Sequence, residues 1–436
     1  MSSSSSEGAK ALSQPFTLPC GSTAPNRLVK APMEEMMGSL GGGLPNEKLL
    51  KIYKHWADGG WGIIITGNVA IDSTHLGTPF DITLPSTNLL KDDKTIQTFK
   101  KYAQSIKGKG DDKSPLAVVQ LVHAGRQSMR GSGRYPWQPT LAPSSISMST
   151  SKGLIGKVID YALWNTPKEM TQEEIKQLIQ RFVEGSVLCH QAGFDGVEIH
   201  ASHGYQIAAF LSPRTNVRKD QYGGNARNRA RLLLEIIDGV RQRVPKSFAV
   251  GVKLNSSDYV QGGLTEDDAL MNVKWLAEHG GVDFVEISGG NYENPSFMMD
   301  SFDSEKELAK VNGTAKTPSK PPTSARTQAR EAFFQNFALR ARSSVQDVKG
   351  PGREMALILT GGLRSRTGMA GPVLEGIVDG VGIGRMACVY PDLPKTILND
   401  SVPDTDPKSS PPKYTMKGSG TVALLPLKIV NAGWGT

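Results

Sequence analysis

The chain has 436 residues, a formal net charge of +8 and 38% hydrophobic residues, enough apolar material for a sizeable core. The positive charge is spread along the chain, with no dense Lys/Arg block interleaved with aromatics, so the composition points away from nucleic acid as a partner. Its three cysteines, Cys20, Cys189 and Cys388, are far apart, which excludes a disulfide scaffold and an iron–sulfur cluster and points to a reducing, cytoplasmic compartment.

The opening MSSSSSEGAK has no apolar core of a signal peptide, and residues 1–14 read as a disordered Ser-rich tail. Asn26 to Met33 forms an entry segment and first strand. A helix follows over 47–58, with Leu49, Leu50, Tyr53 and Trp56 on one face. Gly62 to Gly67 is a buried second strand, 92–107 a helix, and 116–123 a third strand. Residues 126–168 are rich in Gly, Pro and Ser. So long an irregular stretch after a strand suits a loop that covers a substrate. Thr171 and Glu174 form a capping box for the next helix. A fourth strand ends at Ile199, a fifth spans 248–254, and Thr265 with Asp268 caps another helix. The sixth strand is 283–288, and 289–324 is a polar, flexible insertion. A helix over 325–342, a seventh strand at 356–360 and an eighth at 380–384 complete the series. No period is clear after Pro394 until 422–430, so 401–436 reads as a C-terminal extension of a single domain spanning 15–400. No apolar run is long enough to cross a bilayer.

Strand and helix alternate eight times, and the strands are nearly continuous apolar runs. Such strands are parallel and covered on both faces, and a (β/α)8 TIM barrel explains them better than a doubly wound sheet. The GxGxxG turn of a dinucleotide fold is missing after the first strand.

The densest chemistry follows the fourth strand. His200, His203 and Tyr205 stand within six residues, beside Gly204. One such polar head at a strand end is ordinarily a satisfied core residue. Three together look built for a ligand. With Phe210-Leu211-Ser212-Pro213, Asn216, Arg218, Asp220, Tyr222-Gly223-Gly224 and Asn228-Arg229-x-Arg231, this stretch resembles the old yellow enzyme family. The resemblance runs from about Asn26 to Pro394. Asn225 departs from it, since the family usually has Ser there, and the change should touch a helix cap more than the chemistry.

The resemblance implies a non-covalent FMN and hydride supplied by NADPH or NADH. It implies a small activated alkene as substrate, without nucleic-acid or membrane partners and with a homodimer as one expected assembly. Pro32 and Met33 would flank the flavin ring, and Gly67 would let the ring approach. Gln120 would meet the pyrimidine end, and Lys253, where the family often has Arg, its N1–C2=O edge. Gly361, Gly362, Gly384 and Arg385 would hold the phosphate at the ends of strands 7 and 8. His200 and His203 would bind the substrate oxygen, and Tyr205 would supply a proton. No metal site is expected. The alternative is an isomerase or dehydrogenase on the same flavin scaffold, without net alkene reduction. Glu34, where Thr or Cys is common, would disfavour an anionic reduced flavin if it pointed inward.

Overall fold

A computed structural model describes residues 6–108, 110–150, 153–294 and 323–410. Eight strands close a parallel barrel: β1 Leu28–Lys30, β2 Ile63–Ala70, β3 Leu116–Val122, β4 Gly196–Ala201, β5 Ala249–Asn255, β6 Phe284–Ser288, β7 Ala356–Thr360 and β8 Gly380–Ile383. β1 pairs with both β2 and β8, which closes the ring. This is the expected TIM barrel.

The alternation of strand faces explains the long apolar runs. Ile63 and Ile65 point into the barrel with Val29, Val118, Ala249, Phe284, Ala356 and Ile358. Ile64 points outward, into the larger core beneath the helices. Each of the larger ones, Ile, Val and Phe, contributes about 1.5–3 kcal/mol on burial. A hairpin of Phe16–Thr17 and Thr23–Ala24 closes the N-terminal mouth, with Phe16, Leu18 and Ala24 joined to the interior cluster. The chain's polar chemistry is left to the other end.

Helix starts follow the sequence signals. Thr171 and Glu174 cap Gln172–Gln191 reciprocally, and Thr265 and Asp268 do the same for Glu266–His279. Asn225 accepts from the Asn228 N–H at 2.8 Å and caps Ala226–Arg241, so it replaces the family's Ser as a cap.

Three expectations change. Residues 7–13 of the supposed disordered tail form a helix. Ala9 and Leu12 are fully buried, Gly8 N–H donates to Asp404, and the helix packs on Arg366–Leu374. The serines conceal a short apolar face that the helix Arg366–Leu374 covers. The 126–168 stretch is not wholly irregular: Gly153–Leu163 is helical, and Leu141–Ala142 pairs with Lys168–Glu169. Residues 401–410 are stitched to the barrel through Arg366, which donates to Asp404 and to the Val402 carbonyl. Most of the 289–324 insertion (295–322) and the 411–436 part of the extension lie outside the described residues. Among the described residues no helix is long and apolar enough to cross a membrane.

Candidate active site

The strand register builds a buried polar layer one step above the apolar plug. Gln120 lies opposite Glu198, and Lys253 opposite Glu286. Gln120 donates to Glu198 at 2.6 Å, and the Lys253 ammonium donates to Glu286 at 2.8 Å. Glu198 Oε2, Glu286 Oε2 and Thr360 Oγ1 are buried with no partner outside this layer. Burial, and then the Glu286 charge, push the Glu198 carboxyl well above its ordinary range. Burial would raise Glu286 as well, but the Lys253 charge and the hydrogen bonds from Glu198 and Lys253 offset this and leave it lowered. The two carboxyls therefore carry one proton, held on Glu198, and Lys253 balances the remaining charge.

The rim lies above this layer. His200 ends β4 on the same face as Glu198. The Ser202 N–H donates to His200 Nδ1 at 3.3 Å, so Nε2 is the protonated nitrogen. His203 has a φ of +59°, unusual for a residue with a Cβ. Its N–H donates to Asn255 Oδ1 and its carbonyl accepts from Gln127, which clamps this turn. His203 Nε2 lies 2.9 Å from Ser288 Oγ. The two imidazoles are 5.2 Å apart between centroids, and the Tyr205 ring is 4.6 Å from His200. Burial, first of all, pushes both imidazoles well below their usual range, so both are neutral at pH 7. Burial and then Glu34 push the Tyr205 phenol well above its usual range, so it keeps its proton.

The expected cofactor positions all fall at this end of the barrel. Pro32 and Met33 leave β1. Gly361 and Gly362 leave β7 with φ of 121° and 77°, a backbone that only glycine adopts easily. Gly384 precedes a short helix that begins at Arg385. The close approach at Gly67 is by the protein itself, since a Cβ there would lie 2.1 Å from the Met33 carbonyl oxygen. Its N–H donates to Glu35 and to the Tyr53 hydroxyl.

The sequence reading missed several site residues. The β2–β3 register shifts between Ile65 and Asn68, a bulge that turns Asn68 into the site. Asn68 donates to the Tyr205 hydroxyl at 3.1 Å. Tyr292 stands 5.8 Å from Tyr205 between ring centroids, and the two phenols share a hydrogen bond. Asp72, His75 and His123 form a further cluster over β2 and β3, with His75 Nδ1 2.9 Å from Asp72. The Gly125 N–H donates to His123 Nδ1, which leaves the protonated Nε2 facing Asp72. That tautomer makes a hydrogen-bond node. No described side chain signals Asn68 or Tyr292 from sequence spacing, because both reach the site through a bulge or a distant loop.

The model of the NADH:flavin oxidoreductase / NADH oxidase family matches residues 11–293. The chain is 40% identical over 418 residues to the NADH-dependent flavin oxidoreductase iliE of Hypocrea jecorina, covering 94% of this chain and 96% of that one. Its fold is similar to an old yellow enzyme homologue from Zymomonas mobilis (TM-score 0.66, 22% identity, 88% of this chain and 92% of that one). It is equally similar to the old yellow enzyme from Trypanosoma cruzi (TM-score 0.66, 20% identity, 90% of this chain and 92% of that one). The chain therefore belongs to the NADH:flavin oxidoreductase / NADH oxidase family, that of the old yellow enzymes, and is an FMN-dependent oxidoreductase that draws on a nicotinamide donor.

Proposed function

We propose that this flavin oxidoreductase reduces the activated C=C bond of α,β-unsaturated carbonyl compounds, with Tyr205 as the proton donor. The observation that carries the reading is the convergence of two imidazoles and a phenol on one face of the rim. His200 and His203 hold the substrate carbonyl oxygen and stabilise the charge that grows on it. Tyr205 then delivers its proton to the α-carbon, and Asn68 steadies the phenolate left behind.

The residues present fit FMN. Pro32, Met33, Gln120 and Lys253 would hold the ring, and the positive φ of Gly361 and Gly362 supports the phosphate reading. Gly361, Gly362, Gly384 and Arg385 would take the phosphate. When bound, the flavin supplies the hydride from N5. NADH, which the name of the Hypocrea jecorina relative specifies, is the donor to test first. Three free cysteines suit the cytoplasmic location we propose. A homodimer remains our expectation for the assembly.

Phenols mimic an enolate oxygen, so they probe the imidazole pair without turnover. His200→Ala and His203→Ala should each weaken phenol binding by about 1.5–3 kcal/mol, the worth of a hydrogen bond to a charged oxygen. That is roughly a 10- to 150-fold rise in Kd, read from the flavin absorbance change on titration. If both variants bind a phenol as tightly as the parent, the pair does not anchor the substrate oxygen.

A further inference from the structure

Glu34 turns inward, to the proton donor. A Cβ built on Gly77 would lie 3.3 Å from Glu34 Oε1, 3.4 Å from Asp81 Oδ2 and 3.8 Å from Tyr205 Cε1, so the three groups converge in front of one glycine. Glu34 Oε1 is buried with no hydrogen-bond partner. Asp81 is 3% exposed and accepts from the Gly77 N–H at 2.7 Å and the Thr78 N–H at 3.1 Å. Asn68 bridges the group, with hydrogen bonds to the Tyr205 hydroxyl and to Glu34. The other ionisable groups facing Glu34 are Glu35, Tyr205 and Tyr292. No cation is among them.

We propose that Glu34 and Asp81 share one proton behind Tyr205 and return it to the Tyr205 phenolate after each turnover. Glu34 thus acts through Tyr205 and does not touch the substrate; the inference rests on Tyr205 being the proton donor. Two carboxyls this close, one on the buried Asp81 and one with its Oε1 out of water on the half-buried Glu34, do not both ionise. Burial, followed by Asp81, pushes the Glu34 carboxyl well above its ordinary range, and burial raises Asp81 too. In the step itself, the Tyr205 O–H bond breaks as the C–H bond forms at the substrate α-carbon. The carboxyl O–H of the pair then breaks, a water in the space that Gly77 leaves open between the carboxyls and the phenol carries the proton across, the phenol O–H re-forms, and the pair recovers a proton from solvent along the 77–81 loop. A carboxylic acid is a stronger acid than a phenol, so the transfer runs downhill.

The test separates one turnover from many. A first turnover uses the proton already on Tyr205, whereas repeated turnover needs the supply. In Glu34→Gln, steady-state enone reduction should fall at least about tenfold more than single-turnover oxidation of pre-reduced enzyme by an enone, so that any change in flavin potential, which acts on the single turnover too, divides out. The parent's steady-state rate should decline as pH rises through the pair's raised pKa, and that limb should vanish in Glu34→Gln. The infrared difference spectrum of parent minus Glu34→Gln holoenzyme at neutral pH should show a neutral carboxylic acid C=O band, sensitive to H/D exchange, in addition to the band of Glu198 that both proteins keep. Asp81→Asn should reproduce the kinetic split and serves if Glu34→Gln folds poorly. Equal loss in single and multiple turnover would overturn the proposal, since Glu34 would then merely position Tyr205. No loss in either, or no neutral-acid band in the difference spectrum, would overturn it too. Failure of the parent to reduce any enone would instead strike the ene-reductase reading, before any variant is made.

Discussion

Tyr205→Phe is expected to lower enone reduction by roughly 10²–10⁴-fold while leaving the reduction of the flavin by NADH nearly unchanged. The asymmetry follows from where the proton is needed. Hydride transfer from the nicotinamide to the flavin requires no proton from a phenol. Reduction of the enone leaves a carbanion or enolate that must be protonated, and Tyr205 is the protonated phenol beside the imidazole pair. Nitroalkenes should suffer less, because their nitronate products can be released and protonated by water. Stopped-flow flavin absorbance resolves both half-reactions. An equal loss in the two would make Tyr205 a general ligand-positioning group, and an unaltered oxidative half-reaction would hand the proton to another donor.

Lys253→Met should cost about 3–5 kcal/mol of folding stability, because it leaves the Glu286 charge buried without its cation. The pH dependence has a definite sign. In the parent Glu286 is lowered, so its contribution is present above the unfolded pKa and is lost as pH falls through the folded one. Without Lys253, burial and Glu198 would raise Glu286, and stability would then be lost as pH rises. The deficit of the variant should therefore be larger at about pH 8 than at about pH 5. Urea unfolding at both values measures it. A deficit below about 1 kcal/mol at both would mean that Lys253 is not the partner that holds Glu286.

The barrel was legible because its strands are buried on both faces. Runs such as Ile63-Ile64-Ile65 and Ala117-Val118-Val119 leave no polar face to suggest anything else. The capping boxes at Thr171 and Thr265 were legible because both partners lie three residues apart. The imidazole pair and Tyr205 were legible because one strand end delivers all three. Long-range features were not. Asn68 enters the site only through a bulge, and Asp81 and Tyr292 arrive on loops whose sequences give no sign of where they fold back. The helix at 153–163 was hidden for a different reason. Leu154, Ile155, Val158 and Tyr161 are exposed, so its apolar residues do not trace a buried stripe. The N-terminal helix was masked by the serines ahead of Ala9 and Leu12.

The most direct test of the central claim is an anaerobic titration of the purified yellow protein, first with NADH and then with an enone such as cyclohexenone. The account predicts that NADH bleaches the flavin band, that the enone restores it without oxygen, and that one saturated ketone forms for each flavin reoxidised. Recovery of the colour only when oxygen is admitted, or of the enone unchanged or as a double-bond isomer, would contradict it.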